Sequence, residues 1–264
     1  MKKHSILICV LAALFVLMLG LYFLIVNNIF HVPPSLSELL NKKAETKIER
    51  KVFGYSETGK AIEGYEIGSG ENRLFLFAAI HGNEMGTAVL LNQLVLEIAL
   101  NPKLVSETKK IIIIPVANPD GYYDRTDNLN ANGVNLNLNF GASDWQPYGP
   151  EGNFAGLAPF SENESQVIKQ VVEQYQPSVM VSFHSHGNLI SPEAGEFSLE
   201  LAKWYAGKTG YAYFEDWDYP GTATKWFVET TNKPAITVEI SKDLQSDWEI
   251  NKEALLELIS SQNH

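Results

Sequence analysis

The chain has 264 residues, of which 45% are hydrophobic and 19% are charged, and its formal net charge is −11. This negative charge repels phosphate backbones, so we expect no nucleic-acid partner. The single cysteine, Cys9, lies in an apolar N-terminal stretch, so the remaining residues can form neither a disulfide nor a thiolate metal site. A metal bound there must have His, Asp or Glu ligands.

The first 26 residues predict a membrane anchor. Residues 6–26 contain no charge, and 21 residues at about 1.5 Å each are long enough to cross a hydrocarbon core of about 30 Å. Lys2 and Lys3 precede this stretch, which places the N-terminus in the cytoplasm and the body of the protein outside the cell. A cleaved signal peptide is the alternative, but residues 27–30 offer no small-x-small cleavage site. The predicted organisation is a cytoplasmic N-terminus at 1–5, a transmembrane helix at 6–26, a linker at 27–45 and a globular domain at 46–264.

Strand and helix patterns alternate through the globular domain. Short apolar or alternating runs predict strands over 51–55, 61–67, 74–80, 111–116, 178–183 and 235–240. Helical spacing predicts helices over 87–100, 161–175, 199–209 and 247–260. This alternation indicates an α/β fold, with a mixed, mainly parallel central sheet and helices on both faces. Polar residues at the carboxyl ends of such strands gather in one crevice.

Two predicted strands are followed by histidines. His81 follows the run at 74–80, Glu84 comes three residues later, and His184 follows the run at 178–183. Two imidazoles and one carboxylate are a donor set of catalytic zinc sites, in which a fourth position stays open for water. His186 is an alternative ligand, because residues two apart share a face on an extended chain. It lies beyond the strand end, where it suits a substrate pocket better. We therefore predict one Zn²⁺ per chain, bound by His81, Glu84 and His184.

Glu239 is a carboxylate in an otherwise apolar predicted strand. Burial there requires a partner, and an ion pair with Lys or Arg is one explanation. The other is that Glu239 is the general base that takes a proton from the attacking water, which explains both its burial and its place near a strand end.

Taken together, the sequence resembles the zinc metallocarboxypeptidases related to carboxypeptidase A, over about residues 50–260. Six motifs match in order: Ile80-His81-Gly82-Asn83-Glu84, Asn118-Pro119-Asp120-Gly121, Gly133-Val134-Asn135-Leu136-Asn137-Leu138-Asn139-Phe140, Pro159-Phe160-Ser161-Glu162, Phe183-His184-Ser185 and Thr237-Val238-Glu239. The resemblance implies an eight-stranded mixed sheet, a catalytic domain over 46–264 and a bacterial branch of cell-wall peptidases.

The third motif departs from the family pattern, Gly-Val-Asp-x-Asn-Arg-Asn. Asn135 replaces the aspartate, and Leu138 replaces the arginine that grips the substrate's free α-carboxylate. Asn137 is kept as a substrate-binding residue. Since leucine donates no hydrogen bond, recognition of a C-terminal carboxylate should be altered.

Two further residues are assigned by resemblance. Arg125 lies near the position of the family's oxyanion-stabilising arginine, and its alternative role is an ion pair with Asp124 or Asp127. Tyr219 lies in a segment that resembles the substrate-covering loop, and its alternative role is to cover the core. Together with His186, it is a predicted substrate-binding residue.

The expected function is zinc-dependent hydrolysis of a peptide or amide bond outside the cytoplasm. The expected membrane-anchored position makes cell-wall (murein) peptides the predicted substrate. Two alternatives remain: an N-acyl amino acid deacylase, and a peptide-binding protein that has kept the site but lost turnover. Leu138 favours the binding protein, whereas the retained Glu239 counts against it.

Overall fold

The structure is a computed structural model that describes residues 48–124, 128–193, 195–215, 219–241 and 244–261. All of them belong to one compact unit, Lys43–His264. Within these ranges, no helix has both the length and the apolar character needed to span a membrane. The membrane span predicted at 6–26 and the linker predicted at 27–45 lie outside the described residues and stay predictions.

A single eight-stranded sheet organises the described residues, as the family resemblance implied. Its strands are β1 (Ile48–Tyr55), β2 (Ala61–Gly68), β3 (Asn72–Ala78), β4 (Lys109–Ile114), β5 (Val179–Ser185), β6 (Leu189–Pro192), β7 (Ala212–Tyr213) and β8 (Ala235–Ile240). They lie in the order β1-β2-β4-β3-β5-β8-β6-β7. The central strands β4, β3, β5 and β8 are parallel, whereas β2 and β6 pair antiparallel with the two ends of this block. The predicted mixed sheet with a parallel centre is therefore confirmed.

Helices cover both faces of the sheet. Within the described residues they are α1 (Met85–Leu100), α2 (Pro119–Asp124), α3 (Asn163–Tyr175), α4 (Glu196–Thr209), α5 (Ala223–Thr231) and α6 (Leu244–Ser260). Phe75 and Phe77 of β3 pack in one core cluster with residues of α3 and α5. The alternate residues Leu74 and Leu76 are also buried, and the period-2 geometry of a strand turns them to the other face. On that face, α1 packs against β3, β5 and α6.

The structure moves several predicted element boundaries. The strand predicted at 74–80 ends at Ala78, because Ala79 has a positive φ of 45° that turns the chain out of the sheet. The helix predicted at 247–260 begins at Leu244. Four of these elements were not predicted: the short strands β6 and β7, and the helices α2 and α5.

The strand register brings the predicted site residues to one edge of the sheet. Residue Ala78 of β3 lies opposite Phe183 of β5, and His184 lies opposite Glu239 of β8. The three parallel strands therefore end side by side, and the residues at their carboxyl ends share one crevice.

Candidate active site

The loop after β3, which carries the first two candidate ligands, is held by backbone contacts. The Asn118 side chain donates to the carbonyl oxygens of Ile80 and Leu129, each at 3.1 Å, and accepts from the Gly121 N–H at 2.8 Å. Gly82 packs directly on Gly121, since a Cβ on Gly82 would lie 2.3 Å from the Gly121 carbonyl carbon. The His-Gly-Asn-Glu and Asn-Pro-Asp-Gly motifs therefore pack against each other, with Gly82 and Gly121 allowing the close approach and Asn118 fixing both segments by hydrogen bonds.

Three donor groups converge at the carboxyl ends of β3 and β5, with His184 near the end of β5 and His81 and Glu84 just after β3. His81 Nδ1 lies 3.1 Å from Glu84 Oε1, His184 Nδ1 lies 3.1 Å from Glu84 Oε2, and the two Nδ1 atoms are 3.3 Å apart. Ligands about 2.0 Å from a tetrahedral zinc ion are separated from one another by about 3.3 Å. The spacing of the three predicted ligands therefore fits zinc. His186 does not belong to this group of potential ligands.

The other nitrogen of each imidazole has a partner of its own. His81 Nε2 lies 3.0 Å from Asn135 Oδ1, and His184 Nε2 lies 3.0 Å from Ser182 Oγ. If each Nε2 carries the proton, each Nδ1 lone pair points to the shared centre, as a metal ligand requires. Asn135 Oδ1 also accepts from the Asn137 N–H at 3.2 Å. Asn135 thus links a candidate ligand to the segment predicted to bind substrate.

The electrostatics of the group also suit a cation. Burial works against ionisation of Glu84, but His81 and His184 outweigh it and hold the pKa of Glu84 far below its usual range. Burial also lowers the pKa of His81, whereas the Glu84 carboxylate raises it, and the net effect is a rise. Glu84 Oε2 is buried and accepts no hydrogen bond from the described residues. Burying a carboxylate oxygen without a hydrogen bond costs free energy. A metal ion held by the three residues would give this oxygen a partner.

Glu239 lies beside this group on β8. The residue is 6% exposed, and burial raises its pKa to about 7 although His184 acts in the opposite direction. Among the described residues, no Lys or Arg forms an ion pair with Glu239, so the structure does not support an ion pair as the reason for its burial. Gly187 leaves the space that Glu239 occupies, because a Cβ on Gly187 would come within 2.6 Å of Glu239 Cβ.

The four residues His81, Glu84, His184 and Glu239 line one open cavity of about 280 Å³. The predicted substrate-binding residues lie on the same lining: Asn137, Leu138, His186 and Tyr219. Arg125 lies outside the described residues, so its predicted catalytic role stays a prediction. The lining also includes residues that were not predicted to belong to the site: Asn128, Asn135, Glu151, Asn153, Ser185, Gly187 and Thr237.

Leu138 forms a closed apolar part of this wall. It ends the short 3₁₀-helix Leu136–Leu138 and is 2% exposed. Its side chain fills the space beside Gly149, where a Cβ would meet Leu138 Cδ1 at 2.6 Å. The position that carries a guanidinium in the family pattern is therefore a packed hydrocarbon surface here.

The family model described as zinc carboxypeptidase (peptidase M14) matches residues 35–199. The chain belongs to this family. The predicted class of enzyme, a metallopeptidase similar to the metallocarboxypeptidases, is thereby confirmed. The chain is 31% identical over 231 aligned residues to murein peptide amidase A of Escherichia coli strain K12, covering 76% of this chain and 89% of that relative.

Solved structures agree with this membership. The murein-tripeptide amidase of Escherichia coli O157 has a TM-score of 0.66 and 26% identity, over 81% of this chain and 92% of that one. The bovine thrombin-activatable fibrinolysis inhibitor, solved with a tick carboxypeptidase inhibitor, has a TM-score of 0.72 but 16% identity, over 85% and 92% of the two chains. At that identity the second likeness shows the fold alone.

Proposed function

We propose that this chain is a zinc-dependent hydrolase that cleaves a peptide or amide bond in murein peptides outside the cytoplasm. The observation that carries the proposal is the convergence of His81, Glu84 and His184 on one centre, with Glu239 beside it in the same cavity. The relatives named for murein peptides support the substrate class. The extracytoplasmic position rests on the apolar N-terminal sequence.

In this proposal each polar group has a separate task. His81, Glu84 and His184 hold the metal, and Asn135 and Ser182 orient the two imidazoles. Zinc, when bound, acts as a Lewis acid that acidifies water and polarises the scissile carbonyl.

Glu239 then accepts a proton from the attacking water and returns one to the departing nitrogen. Its enclosed position, with 6% of the residue exposed, limits competition from bulk water for that proton.

The proposal includes altered recognition of the substrate's C-terminal carboxylate. Leu138 supplies no hydrogen-bond donor to the cavity. Neutral amides of Asn128, Asn137 and Asn153 line it instead, and these can both donate and accept hydrogen bonds. Such a lining suits a branched or amidated peptide better than a peptide whose free C-terminal carboxylate must be bound by an arginine.

Metal content tests the ligand assignment. The full chain, purified in detergent, should contain about one zinc per chain. A His81→Ala/His184→Ala variant should lose it. His186→Ala is the matched control, because His186 lies on the same cavity but outside the ligand group. Full zinc occupancy of the double variant would show that the ligands are assigned wrongly.

Turnover on a murein tripeptide tests the reaction. Glu239→Gln should keep zinc but lower turnover by at least about 10²-fold, because the amide cannot accept a proton. Hydrolysis of N-acyl amino acids in place of the tripeptide would favour the deacylase. Tight peptide binding by a zinc-loaded wild type without any hydrolysis would favour the binding protein.

A further inference from the structure

A chain of hydroxyl groups connects the cavity wall to a carboxylate behind it. Thr237 lines the cavity two residues before Glu239, so both side chains lie on the same face of β8. Behind Thr237 lies Thr224, in the first turn of α5, with its Oγ1 at 3.4 Å from Thr237 Oγ1. Thr224 Oγ1 in turn donates to Glu193 Oε1 at 2.6 Å.

The same carboxylate oxygen receives a second hydroxyl. Thr222 Oγ1 donates to Glu193 Oε1 at 3.2 Å, while it caps α5 by accepting the Lys225 N–H at 3.2 Å. Glu193 therefore holds the hydroxyl protons of two threonines. Burial raises the pKa of Glu193, and these two donors act against the rise.

Counting protons fixes the direction of the chain. A hydroxyl has one proton, and Thr224 donates its proton to Glu193. Its oxygen can then only accept from Thr237, so the Thr237 proton points away from the cavity. The lone pairs of Thr237 Oγ1 then remain available to a donor group on a ligand that reaches this lining residue.

The charge of the cavity favours a positive donor. The carboxylates of Glu84, Glu151 and Glu239 all lie on the lining and together exceed the two positive charges of the proposed zinc ion, and none of the described lining residues is a lysine or arginine. An ammonium group against Thr237 would find an oriented oxygen and a negative potential. A substrate carboxylate beside Thr237 would find no hydrogen-bond donor there and would be repelled by the negative potential.

We propose that Glu193, acting through Thr224 and Thr237, selects substrates that present an amino group to the wall beside Glu239. The substrate class is a peptide in which one of the two residues joined by the scissile bond has an amine in its side chain. Glu193 is a positioning residue in this scheme, and Thr237 makes the contact. The inference rests on the proposed function, because it assumes that the substrate occupies this cavity.

Matched peptide pairs test the proposal. Each pair differs only in lysine against norleucine, or ornithine against norvaline, placed on one or the other side of the scissile bond. We expect the wild type to prefer the amine at one of these positions, and Glu193→Gln to lower that preference roughly 10-fold or more. Glutamine can donate to Thr224, which would reverse the hydroxyl chain and turn the Thr237 proton towards the cavity.

The ratio within each pair separates selection from a merely structural role, because a structural defect lowers both members alike. Thr237→Val and Thr224→Val keep the side-chain shape and should reduce the same ratio. The combined Glu193→Gln/Thr237→Val variant should lose no more than Thr237→Val alone, since the two act through one chain. The two valine variants also keep the test decisive if Glu193→Gln does not fold.

A binding arm makes failure of this inference distinguishable from failure of the proposed function. The same pairs are titrated by calorimetry into zinc-loaded Glu239→Gln protein, with and without Thr237→Val. A wild type that hydrolyses both members of every pair equally would overturn the selection but leave the hydrolase intact. An amine preference that survives Thr237→Val in both arms would overturn it as well. A protein that neither cleaves nor binds any of these peptides would refute both proposals.

Discussion

Replacing Glu164 with glutamine should flatten the dependence of stability on pH between about pH 4.5 and pH 7. Glu164 lies in the first turn of α3 and is 1% exposed. The hydrogen bonds that it accepts, from the Glu57 N–H and from Asn130 Nδ2, are both long at 3.3 Å. Burial raises its pKa from 4.5 to about 7, and the neighbouring Glu57 carboxylate adds to the rise.

The sign and size follow from proton linkage. Between pH 4.5 and pH 7 the folded chain keeps a proton on Glu164 that the unfolded chain has released, so the free energy of unfolding falls as the pH rises. At about 1.4 kcal/mol per pKa unit, the full loss is about 3 kcal/mol, complete above pH 7 and absent below pH 4.5. Glutamine resembles the protonated acid and should remove this loss.

Urea unfolding at pH 5 and pH 8, followed by tryptophan fluorescence, measures the effect. Glu164→Gln should gain up to about 3 kcal/mol over wild type at pH 8 and far less at pH 5. Glu173→Gln, an exposed carboxylate on the same helix, controls for the loss of one formal charge. A Glu164→Gln effect of equal size at both pH values would refute the reasoning, because it would show that the carboxylate is ionised throughout this range.

Three further predictions concern the cavity. Gly187→Ala should lower kcat/KM by up to about 10²-fold without loss of zinc, because its Cβ would lie 2.6 Å from Glu239 Cβ and displace the base; wild-type turnover would contradict this. Asn135→Ala should weaken zinc binding by about 10- to 100-fold in chelator competition, since His81 loses its orienting partner, and an unchanged affinity would contradict it. Leu138→Arg should raise kcat/KM for peptides with a free C-terminal carboxylate by roughly 10- to 100-fold over amidated ones, while its buried position lowers the melting temperature. A wild type that already strongly prefers the free carboxylate would contradict the last prediction.

The central strands and the convergence of His81, Glu84 and His184 could be predicted because their signals are local and strong. The central parallel strands are mainly apolar runs, and the predicted ligands lie at or just after the carboxyl ends of two of them. The short elements could not be predicted in the same way. Strand β7 has two residues and β6 has four, ending in a proline, so neither is long enough to show a period. Helix α5 contains three threonines in nine residues, a composition that gives little helical signal without its tertiary contacts.

The residues that support the site were missed for a different reason. Asn135 was identified only as a departure from the family pattern, because no local rule says that its side chain reaches an imidazole 54 positions earlier in the chain. Leu138 shows the converse. Its sequence position indicated a changed function, but the packing against Gly149 that makes it a closed wall is visible only in three dimensions.

Two of the missed residues nevertheless carried a signal. Ser182 and Thr237 each interrupt an apolar strand two positions before a functional residue, His184 and Glu239. A buried hydroxyl costs free energy unless it is hydrogen-bonded, on the order of 1–3 kcal/mol, so a hydroxyl in a strand core implies a partner. Because strand residues two apart share a face, that hydroxyl lies beside the functional group on the same side of the sheet. Ser182 meets this expectation by contacting the His184 ring, and Thr237 meets it by joining the chain to Glu193. The same two-residue offset can therefore be searched for wherever a buried strand ends at a predicted site.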